Sequence, residues 1–276
     1  MSQLNIIVRL SAIHDKMTSN TSIQRRYTMK IIIAPAKKMI VDTDSFSTQS
    51  EPVFLNQTDQ ILNKLQSLTY TRAKELWQCS DKIARPNYEW LKKIDLRKNL
   101  TPAVLAYSGI QYQYMAPDLF TAPALDYIQQ NLRILSGFYG ILKAFDGIVP
   151  YRLEMQSSLS INNTVNLYQF WHDQIYNDLD FDNNIVVNLA SQEYSKSVSP
   201  FLKPGEQLID VVFGSLVDGK VKVKATLAKM ARGEMIRYMA EHQVKVLSEL
   251  KKFDHPDYKF SSSLSNDQKL VFLYQK

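Results

Sequence analysis

Along this chain the apolar residues come in runs of four to six broken by charged positions, and their period switches repeatedly between that of a strand and that of a helix. Residues 30–34 (KIIIA) are a β-branched run closed by Pro35, the pattern of a buried strand whose following loop carries Lys37 and Lys38. Residues 58–68 place Ile61, Leu62, Leu65 and Leu68 on one helical face, with Thr58 or Asp59 as cap. Residues 71–78 and 81–93 predict two more helices forming a hairpin, with Ser80 capping the second and Pro86 disturbing its interior.

Further on, 103–107 (AVLAY) predicts a strand, 124–135 a helix, 151–155 a strand, 167–179 a helix and 185–190 a strand. Ser191 opens a short helix over 193–198. Residues 208–213 and 220–226 pair as strands across Val217-Asp218-Gly219, and 227–250 is a long helical stretch. Gly137, Gly140 and Gly147 fall within eleven residues of a chain that has only eight glycines, so tight backbone is concentrated there. Strands and helices mixed in this order predict an α/β (mixed α+β) class, a single compact domain with a mixed sheet.

The chain has 276 residues, 45% hydrophobic and 22% charged, which excludes collagenous, low-complexity and wholly disordered readings. No apolar stretch is long enough to span a membrane. Cys79 is the single cysteine, so an internal disulfide and paired-cysteine zinc sites are excluded and a reducing cytoplasm is the expected compartment. His14, His172, His242 and His255 are dispersed without metal-ligand spacing; neither a metal nor a cofactor is expected. The net charge is +6, and residues 1–28 hold half of that excess, with Arg9, Lys16, Arg25 and Arg26 against Asp15. That stretch is basic, rich in Ser and Thr and poor in acids, which weakly resembles a transit peptide. Met29-Lys30 before Ile31-Ile32-Ile33 has the look of a chain start, so 1–28 is read as a flexible N-terminal extension and 29–276 as the domain.

Four constellations can carry chemistry. In Ile33-Ala34-Pro35-Ala36-Lys37 a strand delivers a lysine to the carboxyl edge of a sheet, where Lys37 is a phosphate clamp, a nucleophilic amine or simply a solvated loop residue. In Tyr151-Arg152-Leu153-Glu154-Met155, alternation puts Arg152 and Glu154 on one face, either as a structural ion pair or as an Arg aimed at an anion and held by Glu154. Ser191 with Glu193 marks a helix start whose free N–H groups suit an anion, although Glu193 competes for the same positive end; Lys196 lies one turn on. Finally, Lys220, Lys222 and Lys224 alternate with valines at roughly 7 Å intervals, either tracking a phosphate backbone or protecting an edge strand. Lys229 and Arg232 follow beside Gly233, whose place in a helical stretch points to a close backbone or ligand. Tyr107, Tyr112 and Tyr114 suit base stacking or a half-buried sheet face equally.

From Met29 onward the chain resembles the YaaA family of peroxide stress-response proteins. The resemblance is carried by APAK (34–37), SDKIA (80–84), LRILSGFYGILKAFDGIVPYRLEM (132–155), LYQFW (167–171), NLASQEYSKSV (188–198) and AKMARG (228–233). It implies a cytoplasmic protein of one α/β fold that binds duplex DNA, with a basic cleft beside a helix-hairpin-helix-like element. It also implies protection against peroxide by lowering intracellular iron, which limits oxidative damage to DNA and proteins. No membrane association, obligate protein partner or catalytic reaction follows from it. The hairpin corresponds to 71–93, with Ser80, Asp81 and Lys82 at its turn, although such hairpins usually offer glycine amides and no glycine precedes Ser108 here. Two positions depart from the family pattern: Lys38-Met39-Ile40 replaces Thr-Leu-Asp after APAK, and Ile110 stands where Asp often follows the glycine. The resemblance gathers Lys37, Arg152, Lys196, Lys229 and Arg232 into the cleft, with Lys82 as a further phosphate contact and Glu154, Ser191, Glu193 and Gly233 as cleft support.

The competing reading is an enzyme acting on a nucleoside, nucleotide or damaged base around Lys37, with Glu154 or Glu193 as proton carrier. Direct iron sequestration is the weaker third reading, because the histidines are scattered and the cysteine is alone.

Overall fold

The computed structural model describes residues 29–181 and 184–275, so the extension expected over 1–28 lies outside the described residues. The strands are β1 Lys30–Ile33, β2 Thr101–Pro102, β3 Leu132–Ser136, β4 Gly140–Lys143, β5 Gly147–Ile148, β6 Ile185–Asn188, β7 Gln207–Val217, β8 Lys220–Lys222, β9 Tyr258–Phe260 and β10 Lys269–Tyr274. The helices are α1 Leu55–Gln66, α2 Tyr70–Trp77, α3 Asp81–Leu91, α4 Ala103–Ala106, α5 Ile110–Met115, α6 Ala122–Asn131, α7 Leu167–Trp171, α8 Gln174–Leu179, α9 Gln192–Ser195, α10 Ala225–Glu241 and α11 Leu247–Leu250. Among the described residues no helix is long and apolar enough to cross a membrane.

The main sheet runs β4-β3-β1-β6-β7-β10-β9, with β8 paired to the end of β7, while β2 and β5 form a separate small pair. Strands β3, β1, β6, β7 and β10 are parallel to one another; β4, β9 and β8 join antiparallel. Strand β1 sits near the middle, and Ile31, Ile32 and Ile33 are wholly buried, as a strand covered on both faces requires. This is the single compact α/β domain with a mixed sheet that the alternating pattern implies. The strand order matters for function. From β1 the chain passes to β3 on one side, whereas from β6, the neighbour of β1 on its other side, it passes to β7. The loops leaving β1 and β6 therefore diverge to opposite sides and leave a crevice at the carboxyl ends of the two strands.

The helical hairpin forms as α2 and α3, joined by Gln78, Cys79 and Ser80. Gln78 takes the left-handed turn conformation, φ 45°, that glycine usually fills. Asp81 at the start of α3 accepts hydrogen bonds from the Tyr70 hydroxyl and from Lys74 Nζ at 2.6 Å, fastening the two helices together.

Several expected elements differ. The run at 103–107 is one turn of helix, α4, and the strand is the pair of residues before it. Four apolar residues carry no period that separates a strand from a buried helix, and the Ala103 and Val104 amides instead donate to the Asp146 and Ala144 carbonyls at 2.9 Å. Residues 151–154 belong to no helix or strand, and Met155 already opens a turn. The helix expected at 167–179 is broken by His172 at φ 44°, and that expected at 124–135 ends at Asn131, after which 132–135 is strand. Strand β6 stops at Asn188, whose side chain accepts from the Ala190 amide at 2.9 Å and donates to Asp210 at 2.6 Å. The stretch 227–250 contains two helices, separated where Gln243 turns left-handed at φ 53°.

Candidate functional site

A cleft of 360 Å³ occupies the crevice at the ends of β1 and β6. Its wall after β1 is Ala34 to Lys38, and its wall after β6 is Ser191, Glu193 and Tyr194. The other sides come from 109–112 at the start of α5, from Tyr151 to Glu154, and from Lys229 and Arg232 on α10. Five distant segments thus converge, each delivered by a local feature of the sequence.

Pro35 ends β1 and turns the chain into the loop that carries Lys37. That loop is fastened to the 106–109 segment: Ile40 N donates to Ala106 O and Ser108 N to Lys38 O, each at 2.8 Å. A Cβ on Gly109 would stand 2.7 Å from Ala36 Cβ, so the two walls meet only because residue 109 has no side chain. On the opposite wall, a Cβ on Gly137 would lie 3.0 Å from the backbone of Glu154 and Met155, which lets the SGFYG turn press against the segment presenting Arg152 and Glu154. That segment obeys the expected alternation without being a ladder strand: Tyr151, Leu153 and Met155 are buried, and Arg152 and Glu154 are half-buried toward the cleft.

Beneath it lies a network of aromatic hydroxyls. Ser136 Oγ accepts from the amides of Phe138 and Tyr139 at 3.1 and 2.9 Å, which uses both its lone pairs, so its hydroxyl donates to Tyr151 Oη at 2.6 Å. Tyr151 and Tyr107 share a further hydrogen bond of 2.7 Å. Trp171 Nε1 donates to Gly137 O at 3.0 Å, and Trp90 Nε1, on the helical hairpin, donates to Pro150 O at 2.8 Å. Burial pushes the Tyr151 phenol up to about 12, so this layer is a neutral, hydrogen-bonded floor.

The electrostatics are mainly cationic: Lys37, Lys38, Arg152, Lys229 and Arg232 line the cleft against Glu154 and Glu193. Lys37 Nζ pairs with Glu154 Oε1 at 2.8 Å. The Nε–H groups of Arg152 and Arg232 are buried and have no hydrogen-bond partner among the described residues. Burial lowers the Arg232 pKa, opposed by the charge of Asp210. Burial raises the Glu193 carboxyl above its ordinary value and the charge of Glu154 adds to this, against the Gln156 amide that donates to Oε1 at 3.2 Å. The arrangement offers two half-buried guanidinium groups and exposed ammonium groups to an anion, with carboxylates at one side.

Of the residues singled out from sequence, Lys37, Arg152, Glu154, Ser191, Glu193, Lys229 and Arg232 come together here. Lys196 does not: α9 lasts one turn, and Lys196 is the exposed C-cap residue after it, outside the lining. Lys82 is exposed on the first turn of α3, also outside the lining. Ser191 occupies the N-cap position, but its side chain makes no capping hydrogen bond. Gly233 lies where α10 crosses α5, and the close neighbour is backbone: a Cβ would stand 2.2 Å from Gln111 O. Gln111 itself lines the cleft with a buried Nε2 that has no partner among the described residues, and nothing in the sequence IQYQYM marks it. Lysine alternation past β8 also fails, since β8 ends at Lys222 and Lys224 precedes α10.

Comparison with known proteins places this geometry in a context. Residues 29–264 match the family model for peroxide stress protein YaaA. A UPF0246 protein of Lactiplantibacillus plantarum is 61% identical over 247 residues, covering 90% of this chain and 100% of that relative. UPF0246 proteins of Pediococcus pentosaceus (58% identity, 89% of this chain and 98% of the relative) and Lachnoclostridium phytofermentans (49%, 89% and 96%) are also similar to it.

Proposed function

Because this chain belongs to the YaaA family of peroxide stress proteins, we propose that it acts in the peroxide stress response by binding duplex DNA at the basic cleft. In this role it limits oxidative damage to DNA and proteins, in association with a lowering of intracellular iron. The observation that carries the reading is the pair of cleft arginines, Arg152 and Arg232, whose buried Nε–H groups lack a partner among the described residues. A buried donor left unsatisfied costs about 1–3 kcal/mol. A phosphate placed between the walls meets the same two guanidinium groups, which line the cleft, in charge-assisted interactions. Lys37, Lys38 and Lys229 are exposed at the rim, suited to neighbouring phosphates. Contacts of this kind go to the backbone and read shape rather than sequence.

The test is fluorescence anisotropy of labelled duplex DNA titrated with salt. Log K falling against log salt with a slope of about −4 or steeper corresponds to four or five phosphate contacts and is the expected result. No binding at low salt overturns the proposal.

A second reading keeps the same cleft. Its volume, 360 Å³, falls in the range of small-ligand sites. Glu193, with its raised carboxyl, stands close enough to Glu154 to feel its charge, which suits a proton carrier. An enzyme acting on a nucleoside, nucleotide or damaged base is favoured over DNA binding if a nucleoside monophosphate binds and duplex DNA does not.

A further inference from the structure

Strand β7 is longer than its neighbours. Gln207 to Asp210 pair with β6 and Asp210 to Gly214 pair with β10, but Ser215, Leu216 and Val217 pair only with β8. The end of β7 and β8 therefore leave the sheet as a two-stranded ribbon. Asp218 and Gly219, both left-handed at φ 51° and φ 72°, turn it in the two-residue manner that matches strand twist. A Cβ on Gly214 would stand 2.6 Å from Val221 Cγ1, so the ribbon is anchored where Val221 folds over that glycine.

The register sorts the ribbon's faces. Ser215 lies opposite Lys222 and Val217 opposite Lys220, so those residues share one face, while Leu216 and Val221 share the other. Lys220, Lys222 and Lys224 are all exposed. Among the described residues Lys222 pairs with Asp218 at 3.8 Å, with both side chains mostly in solvent. Leu216 and Val223 are also 53% and 52% exposed. Directly after Lys224, α10 begins, and its Lys229 and Arg232 line the cleft. At a helical rise of about 1.5 Å per residue these lie roughly 8 and 12 Å along the axis from Lys224, close to one screening length at physiological salt.

We propose that this lysine-faced ribbon is a second nucleic-acid contact, an arm that holds the phosphate backbone of a duplex outside the cleft while α10 carries the cationic track inward. Lys220 and Lys222, two residues apart on one strand face, stand roughly 7 Å from each other. A polyanion engaged at Arg232 meets them without a gap in positive charge, and the exposed Leu216 and Val223 stay toward sugar edges or solvent. The inference rests on the DNA reading given above but concerns different residues.

The experiment compares the full chain with two variants on a labelled duplex of about 20 base pairs, reading the slope of log K against log salt. One variant is Lys220→Gln/Lys222→Gln/Lys224→Gln, the other Arg232→Gln, with thermal melts to verify folding. Each lost phosphate contact makes the slope shallower by about 0.9, so the arm variant is expected to lose about 2 to 3 units and the cleft variant about one. An arm variant with the unaltered slope, beside a cleft variant that loses its share, overturns the arm and leaves the cleft. A slope lost only in the arm variant supports the arm and overturns the cleft. Absence of duplex binding by the unaltered chain overturns both. Occupation of the ribbon by a second copy, through its opposite apolar face, is read by sedimentation: a dimer abolished by Leu216→Ser/Val223→Ser overturns the nucleic-acid assignment.

Discussion

Replacing Gly233 by alanine tests the packing that shapes the cleft, because two physical effects there have opposite signs. In an unencumbered helix interior, Gly→Ala stabilises by about 1 kcal/mol through the unfolded chain and helix propensity. At Gly233 the new Cβ would lie 2.2 Å from Gln111 O, 2.9 Å from Met115 N and 3.0 Å from Tyr114 Cβ. Two of these are backbone atoms of α5, which cannot escape by changing rotamer. The shortest contact falls roughly 1 Å inside an ordinary C···O distance, so α10 and α5 must separate. Overpacking of this kind costs about 1–3 kcal/mol, and the backbone clash argues for the upper end. Setting about 3 against the gain of about 1 leaves a net loss of about 2 kcal/mol, or a fall in Tm of roughly 4–8 °C for a domain of this size. Differential scanning calorimetry measures it directly. Since Gln111 and Tyr112 of α5 line the cleft opposite Arg232, duplex affinity is expected to fall as well. An unchanged or higher Tm refutes the argument, because it means that helix propensity outweighs the close approach.

Other consequences are equally specific. Tyr151→Phe removes the acceptor of the Ser136 hydroxyl, and chemical denaturation is expected to show a loss of about 1–3 kcal/mol; no loss means that the network contributes nothing. The Lys37–Glu154 pair is 66% exposed on the lysine side, so Glu154→Gln should leave Tm within about 2 °C yet tighten duplex binding by up to about five-fold, and weaker binding contradicts the role given to Glu154. For Glu193 the folded carboxyl lies above its unfolded value, so the native state holds the extra proton between the two values and stability falls as pH rises through that window. Glu193→Gln is therefore expected to raise Tm at about pH 8, by at most about 3 °C given its partial exposure, and to change it little at about pH 4. The opposite ordering of those melts would place the carboxyl below its unfolded value.

Those elements of the fold whose signal is local were legible in the sequence. The isoleucines of β1, the paired helices around Ser80 and the β7–β8 turn at Asp218-Gly219 each combine a periodic run with a specific punctuating residue. Where punctuation is missing, the residue pattern does not mark the element's end. His172 and Gln243 break helices in left-handed conformations that nothing in their residue type announces. AVLAY lacked a period altogether, and 151–155 showed that side-chain alternation reports burial rather than hydrogen-bonded pairing. In the cleft, residues attached to a strand end or a glycine could be anticipated, such as Lys37 after Pro35 and Arg232 beside Gly233. Lys196 was misplaced because the length of α9, one turn, decides which way its side chain leaves. Gln111 became visible only when α5 and α10 met.

The cleft draws on 34–38, 109–112, 151–154, 191–194 and 229–232, so its lining spans most of the domain in sequence. Loop closure between such distant segments precedes any reward from their contacts, so the walls complete late in folding and no contiguous fragment retains them. Occupancy then reports on the integrity of the entire sheet. A ligand held there at a hundredfold excess over its Kd deepens the native basin by about 2.7 kcal/mol, and it does so for amides as distant as those of β1 and β7 at once. Hydrogen exchange across these strands should slow together on loading, as a single cooperative unit.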